Sequence, residues 1–345
     1  MLFSIEILKY ILTLYILYLV YMIIFWGFYK LDFRKIIKFG NSSFVVSLPM
    51  NWVKKNKLKK GDTICITEDS NNGLVFSSKL IEQEEESKEV VLDITGKSID
   101  QIEMELVAAY INHCDVVNLI SKDLKSNVVD VREMVNKLIG FEITHQLPGK
   151  IIIKDFLNLN DVSLSDMIRK IDLMIRSMFD NLVLCFNKKE SVDVQEQDID
   201  VNKLSFLILR VVKKALDDPE LGKKIGMSNL ELSETRILVT KLEKIADSLK
   251  RIYRFWSEAD INEAKKFNLL FLKLKDSYFK VMDSYYMKDY KKAYEVASSK
   301  SGYMLECEKF FEKKNSVNTI KLVERLKEIQ AYVADVARIA YMREE

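Results

Sequence analysis

The chain is poor in the residues that punctuate loops. Its 345 residues include 3 Pro and 10 Gly. That scarcity excludes collagen-like and loop-rich disordered chains, and with plentiful Leu, Ile, Lys and Glu it predicts a mostly helical protein. There are 2 His, which leaves little room for His-based metal or acid–base chemistry. The 4 Cys, at positions 65, 114, 185 and 307, form no CxxC pair. This spacing excludes a disulfide framework and a Cys zinc site, and it fits a reducing compartment. An excess of one charge is missing too: 53 Lys and Arg stand against 51 Asp and Glu, a net +2. That sum says little about partners, so the distribution of charge along the chain carries the information. The length predicts two or three domains.

Residues 1–30 form a hydrophobic N-terminal segment. Ile11 to Phe28 is an uncharged run of 18 residues, at the short end of what spans a bilayer as a helix. Lys30, Arg34 and Lys35 follow it, which would leave the later domains in the cytoplasm. Three readings stand: a single-span membrane anchor, a start codon assigned too early, or a helix buried in a core. A cleaved signal peptide fits less well, because no small-residue cleavage site follows the run.

Composition changes sharply over residues 33–79. Short apolar and β-branched runs alternate with turn signals: Gly40-Asn41-Ser42-Ser43, Lys60-Gly61-Asp62 and Asn71-Asn72-Gly73. The pattern predicts strands at 35–38, 44–48, 63–67 and 74–77, with a short helix at 51–56. Between Arg34 and Gly61 lie eight basic residues (Arg34, Lys35, Lys38, Lys54, Lys55, Lys57, Lys59, Lys60) and no acidic one. A local charge of this density suits contact with a phosphate backbone. It also reads as a plain solvated lysine face, or as a patch for anionic lipid beside a membrane segment.

Gly40, Ser42, Ser43, Val46, Ser47, Leu48, Pro49, Trp52, Leu58, Gly61 and Asp62, closed by the Asn72–Val75 hairpin, resemble the SpoVT–AbrB swapped-hairpin domain over roughly 45 residues. The resemblance implies a barrel interleaved from two chains, hence a homodimer. It also implies DNA contact by Arg34, Lys35, Lys38, Ser42 and Ser43, with Lys54, Lys55, Lys57, Lys59 and Lys60 as weaker candidates. Gly40, Gly61, Pro49 and Trp52 read as scaffold: two turns, a strand stop and an apolar anchor.

Residues 88–156 read as β-α-β-α-β-β, a small sheet covered by helices. Ser98 is the expected N-cap of the first helix and Gly140 the C-terminal glycine of the second. His113 and His145 have no partner at ligand spacing. Neither a phosphate loop nor a nucleophile elbow is present.

From residue 161 to 345, apolar residues recur at three and four. The periodicity predicts helices at about 163–185, 197–216, 231–256, 260–287, 289–313 and 318–342, read as two stacked three-helix units. The expected fold class is therefore mostly α with a small β-rich head and an α/β connecting segment. Asp198 and Asp200 open the second long helix. Glu243 and Asp247 lie one turn apart on the third, so facing helices could build an oxygen-rich cation site. From spacing alone the plainer reading is a salt-bridged strip of Glu243, Asp247, Lys250 and Arg254.

The runs 194–200, 215–221 and 243–247, with Leu138-Ile139-Gly140-Phe141-Glu142-Ile143, resemble archaeal-type PhoU domains. This resemblance covers nearly everything after residue 88. It implies a divalent metal or iron cluster held by E-x-x-x-D motifs, here Glu243 and Asp247, with Asp198 and Asp200 supplied by the partner helix. In the second half Asp335 matches the motif's aspartate, but Ala331 stands four residues before it and Glu328 is a turn too early. A symmetric pair of full metal clusters is therefore in doubt.

Together these features lead to the expectation of a dimeric, non-enzymatic, cytoplasmic regulator of phosphate uptake. DNA would be bound by the head, and metal, phosphate or a phosphate transporter with its ATPase would be sensed by the helices. The alternative is a membrane-associated adaptor that docks on the transporter without binding DNA. A carboxylate-bridged metal enzyme is a third reading, but it requires Glu-x-x-His pairs that the two His do not supply.

Overall fold

A computed structural model of the chain describes residues 32–68, 73–78, 87–122, 124–159, 162–188, 193–257, 264–309 and 317–343. The apolar segment 11–28 lies outside them. So do Asn71 and Asn72 of the hairpin signal, and the expected helix limits near Asp260 and Lys313. The chain divides into two compact units, Met1–Gln83 and Glu84–Glu345.

In the first unit β1 (Ile37–Phe39) pairs antiparallel with β2 (Ser43–Val45), and β3 (Cys65–Glu68) with β4 (Leu74–Ser77). Gly40 turns the first hairpin at φ +66° and Gly61 follows the short helix α1 (Met50–Lys55) at φ +99°. Pro49 precedes that helix as its N-cap. The hydroxyl of Ser78 donates to the side-chain oxygen of Asn56, tying the second hairpin to the end of α1 (3.0 Å). No described residue of this unit is fully buried, and its described strands form two separate hairpins rather than a closed barrel.

In the second unit β5 (Glu89–Asp93), β6 (Val116–Ile120), β7 (Phe141–Leu147) and β8 (Lys150–Asp155) form one sheet in the order β5-β6-β8-β7. β5 and β6 run parallel, so the chain must cross over between them. Helix α2 (Ile99–Ile111) makes that crossover and α3 (Leu124–Asn136) follows β6. Ser98 caps α2 through a reciprocal capping box with Gln101, as its sequence position suggests. Ile102, Leu106 and Tyr110 of α2 and Val131 and Val135 of α3 bury a core with Val117, Leu119, Ile151 and Ile153 of the sheet.

Gly140 does not close α3, which ends four residues earlier. It turns the chain into β7 at φ +93°, where an added Cβ would come within 2.5 Å of the Leu157 Cβ. Both the backbone and the close approach require glycine there.

The remaining helices are α4 (Leu164–Lys188), α5 (Val194–Asp217), α6 (Pro219–Ile225), α7 (Asn229–Ser257), α8 (Ala264–Met287), α9 (Tyr290–Glu308) and α10 (Val317–Met342). Six are long, close to the periodicity's limits. The sequence reading missed α6, where Pro219 does not merely stop α5. Its fixed φ starts a new helix at the first position, capped by the carboxylate of Asp218. Helices α4, α5 and α7 pack on one another, as do α8, α9 and α10, while α7 meets α10 and α4 meets α8. All six share one apolar core.

The sheet and the bundle are joined at α5. Arg210, 2% exposed, forms an ion pair with Asp155 at the end of β8. Its guanidinium lies 4.5 Å from the ring centre of Tyr110 and 5.6 Å from that of Phe141. Tyr110 donates to the carbonyl of Ile139 at 2.9 Å, and burial pushes its hydroxyl up to about 12 against the pull of Arg210.

Beside it, α2 ends in a Schellman motif: Cys114 N–H donates to Ala109 C=O at 3.1 Å and His113 N–H to Tyr110 C=O at 3.2 Å. His113 holds the usual glycine position at φ +57°. Burial, then the charges of Arg210, Lys214, Lys213 and Lys88, lower its imidazole to about 4.

Two outcomes follow. Arg210→Ala leaves Asp155 buried and unpaired, so unfolding in urea should show a loss of about 3–5 kcal/mol. His113 has a folded pKa below its unfolded 6.5. Its contribution is therefore present above pH 6.5 and lost as pH falls toward 4. His113→Asn, which tolerates positive φ, should flatten the fall of the urea midpoint across that window.

Candidate functional site

Two places gather the residues singled out by the sequence, one in each unit. In the first unit Lys35 and Lys38 lie on or beside β1, with Ser42 and Ser43 at the turn into β2, and all four are exposed. Arg34 is exposed as well, although it pairs with Asp32 at 2.7 Å. Lys54 and Lys55 occupy the last turn of α1, where positive charge complements the helix dipole. Lys57 (φ +55°), Lys59 and Lys60 follow on the exposed turn that leads to Gly61.

The same hairpin exposes Phe33, Ile36, Ile37, Phe39 and Phe44 to solvent, each above 60%. Trp52 is only half-buried. A two-stranded hairpin alone is marginal in water. Apolar side chains exposed at this density belong to a surface that needs a cover.

The second place is the seam between α5 and α7. Val194, Asp198, Val201 and Ser205 follow one another at helical spacing on the buried face of α5, so Asp198 is carried inward. Asp200, two residues on, is turned about 200° away. It is exposed and pairs with Lys203 at 3.4 Å. Across the seam, Glu243, Asp247 and Lys250 share a face of α7. The Lys250 ammonium lies 2.6 Å from Asp198 Oδ2 and 3.0 Å from Asp247 Oδ1. Arg251 holds the other oxygen of Asp247 at 2.8 Å.

Burial raises the Asp198 carboxyl against the pull of Lys250. Burial, then the charges of Asp247 and Asp198, raises Glu243. For Lys250, burial works to lower the ammonium, but hydrogen bonds to Asp198 and Asp247 outweigh it and the net direction is upward. The strip on α7 is therefore not the plain solvent face that spacing favoured. It salt-bridges along its own helix and also reaches a buried carboxylate on the next.

Of the five carboxylates expected to hold a metal, the fold brings Asp198 and Asp247 to one ammonium, that of Lys250, and leaves Glu243 within electrostatic reach of both. Asp200 faces away, and Asp335 on α10 is engaged by Lys241 and Arg338, each at 2.6 Å. Glu328 pairs with Arg325. Among the described residues no three His, Cys, Asp or Glu side chains converge as a metal-holding group. Asp198 and Asp247, with Glu243 nearby, do not fit a divalent cation as they stand, because the Lys250 ammonium takes the position between Asp198 and Asp247.

Sequence reading missed a second buried carboxylate. Asp172 on α4 is fully buried. It accepts from Arg176 Nε at 3.0 Å and from Tyr278 O–H at 3.0 Å, and Arg176 extends to Asp283 on α8 at 2.7 Å. The available signal was Asp172 itself, a lone acid between Ile171 and Ile175 in the apolar stripe. Arg210 carries the same signal within Leu-Ile-Leu-Arg-Val-Val.

Glu243 tests the electrostatics of the seam. A carboxyl raised in the fold stabilises only while protonated, so its contribution is lost as pH rises above its ordinary 4.5. Glu243→Gln should raise the urea midpoint at pH 8 and leave it unchanged below pH 4.5.

Among the described residues no helix is long and apolar enough to cross a membrane. Comparison with protein-family models, curated proteins and solved structures finds no match to this chain.

Proposed function

We propose that the protein is a dimeric DNA-binding regulator of phosphate uptake, with a basic hairpin head on DNA and a helical domain that carries the signal. The observation that carries the proposal is the head's surface. Eight cations and no acid between Arg34 and Gly61 run over the first hairpin, α1 and the turn after it, in the same small unit as exposed Phe39 and Phe44. Apolar residues without a core of their own suit closure against a second copy, and the cations suit phosphates. The swapped-hairpin barrel belongs to this proposal, as does the PhoU-like character of the two helical units. The link to phosphate rests on the resemblance of residues 194–200, 215–221 and 243–247.

Binding of the intact chain to duplex DNA should weaken steeply with salt. Lys35→Gln with Lys38→Gln removes four charges from a dimer. If all four meet phosphates, the salt slope should become shallower by about 3.6. Both side chains are exposed, so the fold should survive. A salt-independent signal, or a dimer by sedimentation that binds no DNA, rules the proposal out in favour of the adaptor.

A further inference from the structure

The α5–α7 seam carries carboxylates on both of its helices, although no three of them converge as a metal-holding group. Asp198 and Asp247 meet at one ammonium and Glu243 feels the charge of both; carboxylate oxygen is the donor type that suits hard cations. One of their oxygens lacks a partner: Asp198 is 3% exposed and its Oδ1 is buried without a hydrogen bond. A carboxylate so far from water needs positive charge beside it. The charge present comes from the chain. Lys250 reaches across from α7 to Asp198 and also holds Asp247, while Arg251 closes Asp247 from the other side.

We infer that this seam is a cation site closed by its own lysine: the Lys250 ammonium stands where these carboxylates would otherwise hold a divalent metal. Three carboxylates against Lys250 and Arg251 leave a formal charge of −1. Removing Lys250 leaves −2, the charge a divalent cation neutralises. The lysine is built in, so the intact seam is insensitive to metal supply. Whatever the helical domain senses reaches it by another route. This holds whether or not the head binds DNA.

The test is calorimetric titration of Mn2+ alone into the full chain, with melting curves recorded with and without Mn2+. The wild-type chain should give no stoichiometric binding and no shift in melting. Lys250→Met keeps the volume and removes the charge. It should bind Mn2+ at least about tenfold more tightly than the wild type and melt higher with Mn2+ than without. Adding Asp198→Asn should abolish both effects. Lys250→Gln provides the same comparison with a polar head if the methionine variant does not fold. Stoichiometric Mn2+ binding by the wild type that Asp198→Asn removes would overturn the inference. So would folded Lys250 variants that gain no affinity.

Discussion

The second unit depends on a single buried ion pair. Arg210 and Asp155 come from a bundle helix and a sheet strand, and neither is accessible enough to be solvated alone. Removing either leaves a charge in a low-dielectric interior, so sheet and bundle are bound to one arrangement. Tyr110 and Phe141 stack the guanidinium between apolar surfaces. Phe206, one turn earlier on α5, packs against the sheet's core, and Leu157 against the bundle's. The two cores are separate apolar clusters, and the ion pair is the polar joint between them.

Two further buried carboxylates mark the bundle's seams: Asp172 between α4 and α8, and Asp198 between α5 and α7. Each is met by a cation that also serves a second acid, Asp283 in one case and Asp247 in the other. These contacts favour one axial register: sliding α7 by a turn would take Lys250 from Asp198, and sliding α8 would take Tyr278 from Asp172 and Asp283 from Arg176. The apolar stripes alone do not impose this, since Leu, Ile and Val repack at small cost.

The head follows different physics. Its strands are short, its apolar side chains face water and its cations repel one another. Phe33, Phe39 and Phe44 stay exposed beside the lysines, and a unit this small buries little apolar surface of its own.

Much of the fold was legible in the sequence, because periodicity and turn chemistry are local. The long helices follow from apolar spacing, the N-cap of α2 from Ser98, and the turns from Gly40 and Gly61. The end of α5 follows from the periodicity, but the start of α6 at Pro219 does not, since proline's fixed φ suits both a helix stop and a first helical position. The candidate site was half legible. Glu243 and Asp247 could be placed on one helix face by counting residues. That Asp198 would join them, that Asp200 and Asp335 would not, and that Lys250 would complete the group could not be counted. Those facts depend on which faces of two helices meet. The sequence by itself determined the elements, their order and the charge of the head. Tertiary structure alone decided which charges are buried and paired, because pairing across a seam is set by packing between residues tens of positions apart.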